Sequence, residues 1–129
     1  MASELKVNTL TGVSTAGSIA VTAEGNSTTT NLQQGLAKAW GQYSGSGTTY
    51  ADSFNLASAT DNGTGDYTYA ITNDMANANY TPQCTNVTTG NYILIAHAGA
   101  VGTIQVKSRS DSTSAHDDPN GIAIFGDLA

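Results

Sequence analysis

The chain has one cysteine, two prolines and four basic residues, and no apolar run of membrane-spanning length. Each scarcity excludes something. Cys84 alone cannot close an intramolecular disulfide, so no covalent staple holds the fold. With no basic neighbour to lower its pKa, it reads as a small buried apolar side chain rather than a reactive thiol. Four Lys and Arg against ten Asp and Glu leave a formal net charge of −6. That gives no basic footprint for phosphates, so nucleic acid is excluded as a partner. Membrane insertion needs about 20 consecutive apolar residues, and no such stretch occurs. The segment "MASELKVNTL" lacks the basic-then-apolar layout of a signal peptide, so a protein made in the cytoplasm without Sec export is expected.

Aliphatic mass is thin as well. Leu, Ile, Val and Phe total 22 of 129 residues, below the level of roughly 20% that accompanies disorder. The charge is too modest to drive disorder, and the strand patterning is clean. Burial gained by association resolves the tension, so an obligate oligomer is expected.

What the chain does contain is Ser, Thr, Asn and Gly, 56 of its 129 residues. Short runs rich in Thr, Val, Ile and Tyr alternate with clusters of Gly, Asn, Asp and Ser, the pattern of an all-β sandwich or barrel. In residues 1–35, Leu5, Val7 and Thr9 share one side of a first short strand, and Ile19, Val21 and Ala23 one side of a second. "TGVSTAG" and "EGNSTTTN" read as loops. Two short strands are not stable alone, so this arm must lie on a partner, on neighbouring copies or on the main domain. Asn31 can cap a helical turn that Gly35 interrupts.

From residue 36 strands come regularly. "AKAWGQYS" is the first, followed by a "GSG" turn over 45–47. "TYADSFNLAS" places Tyr50, Phe54 and Leu56 on a shared face. "NDMANANYTPQC" is a loop entering a strand near Asn79, where Pro82 suggests an edge or a bulge. "NYILIAHA" is apolar on both faces, as in a central strand or one lying against another subunit. "TIQVKSR" turns Ile104 and Val106 inward; "SDSTSAHDDPN" reads as an exposed loop and "GIAIFGD" as the closing strand.

"DNGTGDYTYAI", residues 61–71, is the strongest candidate for chemistry. A calcium loop counted from Asp61 would need side-chain oxygen ligands where Gly63 and Gly65 stand and a bidentate glutamate where Thr72 stands. A phosphate loop would need a third glycine and a following helix. A tight turn remains: Asp and Asn bond their own backbone, and the glycines supply positive φ. Tyr67, Tyr69 and Ile71 then fall on one side of the next strand, with Asp66, Thr68 and Thr72 on the other.

His97 reads as a core or interface residue, and His116, beside Asp117 and Asp118, as part of a solvated loop. One cysteine and two distant histidines do not make a zinc site. No G-x-S-x-G elbow accompanies the histidines, although a Ser–His–Asp group could still converge in space. Asn26, Asn62 and Asn86 begin N-x-[ST] triplets, chance matches in an Asn/Thr-rich chain without an export signal. No residue is assigned a catalytic, cofactor-binding or metal-binding role.

"GLAKAW", then "GSGTTYADSFNLASATDNGTGDYTYAITNDMANANY", and finally "IAIFGD" resemble, in that order, a module of bacteriophage tail fibres and related virion proteins, marine phages especially. "SELKVNTL" is similar to the strand that often precedes it. The resemblance covers about residues 3–80 and 119–127 and does not extend to 81–118. It implies a β-rich, usually trimeric appendage domain without enzymatic activity, and carries over no catalytic or metal-binding residue.

The expectation is therefore an all-β protein: an antiparallel, jelly-roll-like β-sandwich head over 36–129 with an extended arm over 1–35, assembled as a homotrimer. Its function would be that of a tail-fibre-type virion protein, assembled in the host cytoplasm. The arm would hold other virion proteins of the tail or capsid, and the head would meet a host surface glycan or protein. The alternatives are a capsid decoration or head-fibre protein, and a polysaccharide-degrading tip drawing its carboxylates from Asp61, Asp66, Asp117 and Asp118.

Overall fold

The computed structural model describes residues 4–13, 19–22, 28–44, 49–110 and 114–129. Strand accounts for 57% of it, all pairing is antiparallel, and helix is limited to one turn. The turn read at 45–47, together with Ala23 and Asn26, lies outside the described residues. The chain divides into two compact units, Met1–Leu36 and Ala37–Ala129.

In Met1–Leu36, strand β1 (Ala20–Thr22) pairs with β2 (Thr29–Asn31). The Asn31 side chain then accepts from the amides of Gln33 (2.8 Å) and Gln34 (3.3 Å), capping the single turn α1 (Leu32–Gly35) as its residue type suggested. Two expectations are corrected. Residues 4–10 carry no strand, and part of the stretch read as a loop, Thr29–Asn31, does. An extended segment holds strand geometry only by pairing its backbone, and β1 finds its partner in β2. None of the unit's described residues is buried; Leu5 is 78% and Val13 98% exposed.

Ala37–Ala129 contains eight strands: β3 (Ala39–Tyr43), β4 (Tyr50–Phe54), β5 (Leu56–Gly63), β6 (Asp66–Ile71), β7 (Thr81–Asn86), β8 (Tyr92–Ala100), β9 (Thr103–Ser110) and β10 (Asn120–Phe125). They form two four-stranded sheets, ordered β4-β3-β10-β7 and β5-β6-β9-β8. β4 and β5 are edge strands joined through Asn55 alone, and β7 and β8 are the other two edges. Pro82 thus sits on edge strand β7, where its missing amide is tolerated.

Inward side chains of both sheets share one core. The Tyr43 ring of β3 lies 4.8 Å from that of Tyr67 and 5.6 Å from that of Tyr69, both on β6. Ile104, Val106 and Ile124 are fully buried around them. Four tyrosines replace the missing aliphatic mass, each ring supplying about 150–250 Å² of burial. Hydroxyl hydrogen bonds hold three of them: Tyr69 donates to Asn120 Oδ1 (2.9 Å), Tyr50 to Ser58 O (2.8 Å) and Tyr67 to Asp117 Oδ1 (2.8 Å).

Two readings of strand faces fail here. Tyr50, Phe54 and Leu56 do not share a face. Between Gln42↔Asp52 and Tyr43↔Tyr50 the register shifts, leaving Ala51 as a bulge that reverses side-chain parity. Tyr50 therefore turns inward beside Tyr69 (5.9 Å), while Phe54 pairs with Trp40 outside. Asn55, at φ 57, then turns the chain toward the second sheet, holding Lys38 O (2.9 Å) and the Asn73 amide (2.8 Å) with its side chain. Nor is β8 a central strand. It lies at a sheet edge, with Tyr92, Leu94 and Ala96 half-buried and Ile93 and Ile95 54% and 49% exposed.

Candidate functional site

The hairpin between β5 and β6 is built as its sequence indicates. Asp61 Oδ1 accepts from the Gly63 amide (2.8 Å), and Gly63 and Gly65 take φ values of 128 and 67. Tyr67, Tyr69 and Ile71 are buried along one face of β6. On the other face Lys107 donates to Asp66 Oδ2 (2.8 Å), which holds the Asp66 carboxyl below its ordinary value. Asn62 donates to Thr68 Oγ1 (2.8 Å) across the same face.

The unforeseen part is what closes over this turn. Residues 114–117 are exposed, as the loop reading expected, but hydrogen bonds also stitch this segment to the hairpin. Asp117 Oδ1 accepts from the Gly65 amide (2.7 Å) as well as from the Tyr67 hydroxyl. Gly65 O accepts from Ser108 N (2.9 Å), and Ser108 O from His116 N (3.2 Å). The Gly65 amide, then the Tyr67 hydroxyl, holds the Asp117 carboxyl below the usual range. Burial, then Asp117, pushes the Tyr67 phenol well up. Asp118, 4% exposed, is where the solvated reading fails.

Serine, histidine and aspartate do converge, though not in a catalytic order. Asp118 Oδ2 accepts from His116 Nδ1 (3.0 Å) and Ser108 Oγ (3.3 Å), so the carboxylate lies between the other two. A nucleophilic triad needs the imidazole between hydroxyl and carboxylate, and an accessible hydroxyl. Ser108 is fully buried. Tyr92 stacks on the imidazole at 4.9 Å, which completes a structural clasp. A glycosidase pair would require one carboxyl raised to serve as acid, whereas Asp66 and Asp117 both shift downward.

The remaining candidates are dispersed. His97 is exposed on β8, its Nε2 2.7 Å from Gln105 Oε1, so the core reading of this residue is corrected. Cys84 is half-buried on β7, and burial pushes its thiol up, away from reactivity. Asn86 is engaged with Thr88, whose amide (2.9 Å) and hydroxyl (2.8 Å) both reach its Oδ1. Among the described residues no group of three or more His, Cys, Asp or Glu could hold a metal ion.

Outer faces supply what motif reading missed. On the first sheet Trp40 and Phe54 form an exposed cross-strand pair, and Ala123 follows Trp40 in register. Beside them Gly121 and Ala123 floor a shallow depression of about 320 Å³ edged by Gln83 and Thr85. The signal was the alternation Ala39, Gly41, Tyr43, which leaves Trp40 outward; the bulge at Ala51 hid the matching position of Phe54. No protein-family model matches the chain, and no curated protein or solved structure matches it either. Among the described residues no helix is long and apolar enough to cross a membrane.

Proposed function

We propose that the protein is a non-enzymatic virion structural protein of bacteriophage tail-fibre type. In this reading Ala37–Ala129 is a β-sandwich, jelly-roll-like head and Met1–Leu36 an attachment arm, assembled as a homotrimer on the particle. Display on the virion serves adhesion to a host surface glycan or protein. One observation carries the reading: large apolar side chains point outward from a well-hydrogen-bonded β framework. Trp40, Phe54, Ile93 and Ile95 are between 41% and 54% exposed on the strands. Surfaces of this kind mark sites of association. Immunogold labelling of purified particles is expected to decorate the tail. Failure of the antibody to label any particle would remove the proposal.

The arm favours a second reading, a capsid decoration or head-fibre protein. With none of its described residues buried and Leu5, Leu10 and Val13 exposed, it suits a staple lying along a shell. Gold on the capsid rather than the tail would select this alternative. A polysaccharide-degrading tip is the weaker reading, since Asp66 and Asp117 are each held in the ionised form. Release of reducing ends from host polysaccharide would restore it.

A further inference from the structure

Strand register rules the outer face of the first sheet into two rows. In one, Phe54, Trp40, Ala123 and Gln83 lie side by side across β4, β3, β10 and β7. In the next, Asp52, Gln42, Gly121 and Thr85 do the same. The rows are about 7 Å apart, and each step along a row is about 4.8 Å. At one end stand two aromatic rings, Trp40 and Phe54, 41% and 54% exposed. At the other end are the amide of Gln83 and the hydroxyl of Thr85, both exposed. Between them Gly121 and Ala123 leave the depression of about 320 Å³. Among the described residues, the side-chain amides of Gln42 and Gln83 hydrogen-bond no other protein group.

We infer that this face binds a neutral glycan, with sugar rings stacked on Trp40 and Phe54 and their hydroxyls bonded to Gln42, Gln83, Thr85 and Asp52. A pyranose has a face of C–H bonds and a rim of hydroxyls. The negative faces of aromatic rings attract the first, and amides, which both donate and accept, suit the second. From Phe54 to Gln83 a row spans about 14 Å, long enough for more than one sugar ring. Charge narrows the class. The face carries the carboxylate of Asp52 and no exposed cation, since Lys38 is 4% exposed and Lys107 and Arg109 lie on β9 of the other sheet. On a chain of net charge −6 it would repel an acidic sugar and accept a neutral one. Area disfavours a protein occupant. Four strands of five or six residues give a footprint of about 15 by 20 Å, under half of the roughly 800 Å² that each partner contributes to a stable protein interface. The inference rests on the adhesion part of the function proposed above and names the surface and the ligand class.

Trp40 is the chain's single tryptophan, so its fluorescence reports this face. The test titrates the full chain with cellohexaose, maltohexaose, chitohexaose and mannohexaose, and with polysialic acid as the anionic control. At least one neutral sugar should shift Trp40 emission saturably, and polysialic acid should not. Phe54→Ala, with strand content checked by circular dichroism, should weaken that binding about tenfold. Gln83→Ala should weaken it about fivefold, and Ala123→Gln, which fills the depression, should weaken it as well. Ile93→Ser, on the other sheet, should leave it unchanged. Silence toward all four neutral sugars would overturn the site, and so would unchanged affinity in Phe54→Ala and Ala123→Gln. Tighter binding of polysialic acid would overturn the neutral class. If Phe54→Ala breaks an oligomer seen by light scattering while sugars stay silent, the face belongs to a protein partner and the inference falls. Sugar binding by a protein whose antibody labels no particle would keep the site and remove the virion reading; labelled particles with a sugar-silent protein would do the reverse.

Discussion

Replacing Gly65 by asparagine separates two causes that usually travel together at turn glycines. Asparagine tolerates the left-handed region, so φ +67 costs it little. The added Cβ is another matter. It would stand 2.3 Å from Ser108 O, 2.8 Å from His116 N and 3.0 Å from His116 O, all backbone atoms that no rotamer change can move aside. Making room means releasing the Gly65–Asp117, Ser108–Gly65 or His116–Ser108 hydrogen bonds. Two or three bonds at about 1 kcal/mol each, and a buried Tyr67 hydroxyl losing its acceptor, give about 3–5 kcal/mol. For a unit of this size each kcal/mol lowers the melting temperature by about 4–8 °C. The control is Gly63→Asn, where φ is +128 and nothing lies within 4 Å of the added Cβ. Backbone strain alone would make Gly63→Asn the worse variant, because asparagine accepts φ +67 more readily. The clash reverses that order. Thermal melts showing Gly65→Asn at least as stable as Gly63→Asn would refute the stitched-turn account.

Alkali should unfold the protein cooperatively. The phenols of Tyr50, Tyr67 and Tyr69 are pushed well above 10.0, chiefly by burial, so stability is whole below pH 10 and falls above it. Three phenols lose about 4 kcal/mol per pH unit between them, so tyrosinate absorbance and the circular-dichroism signal should change in one step; early, gradual tyrosinate with strands intact would contradict the buried cluster. Acid acts through Asp66 and Asp117, both lowered from 3.8: their contribution is present above that value and lost as pH falls through the lower folded values. Asp117→Ala should remove its share of this acid dependence and cost about 2 kcal/mol or more in urea unfolding, since the Gly65 amide and Tyr67 hydroxyl lose their acceptor; an unchanged midpoint would deny the clamp. At Asn55, glycine keeps φ 57 but loses the bonds to Lys38 and Asn73, whereas alanine loses both, so Asn55→Ala should be less stable than Asn55→Gly by about 1 kcal/mol. Equal melts would assign the turn's stability to the side chain alone.

Strand periodicity made most of the second unit legible. The alternations at Ile104/Val106 and Tyr67/Tyr69/Ile71 depend only on period two and on a buried face, and all five side chains are buried. Asn31 was legible for a local reason too, because a cap acts within three residues of itself. The errors arose where one residue alters the count. A bulge at Ala51 and a left-handed Asn55 each cost nothing in composition, yet the bulge puts Tyr50 and Phe54 on opposite sides of a sheet and Asn55 sends the chain on to the other sheet. For "NYILIAHA" the difficulty was different. A strand apolar on both faces is the same string whether its second face meets a neighbouring layer or another molecule.

Asp117 and Asp118 show the deeper limit. As neighbours in a Gly-poor acidic stretch they read as one solvated pair, but their partners lie on different strands. Asp117 answers a turn amide and a phenol fifty residues earlier in the chain, at Gly65 and Tyr67. Asp118 answers Ser108 and His116. The demand for these carboxylates comes from the other ends of the bonds. A turn glycine with a bare amide, a phenol at an inward position and an inward serine each require an acceptor once water is gone. Counting such orphaned donors before assigning loops would have asked where the acceptors come from, and 114–118 is an acidic segment of the unit beside strands β9 and β10. The residues that looked most like chemistry are those the fold needs most, and any surface that meets another molecule is better sought among Trp40, Phe54, Ile93 and Ile95, which no internal donor or core position requires.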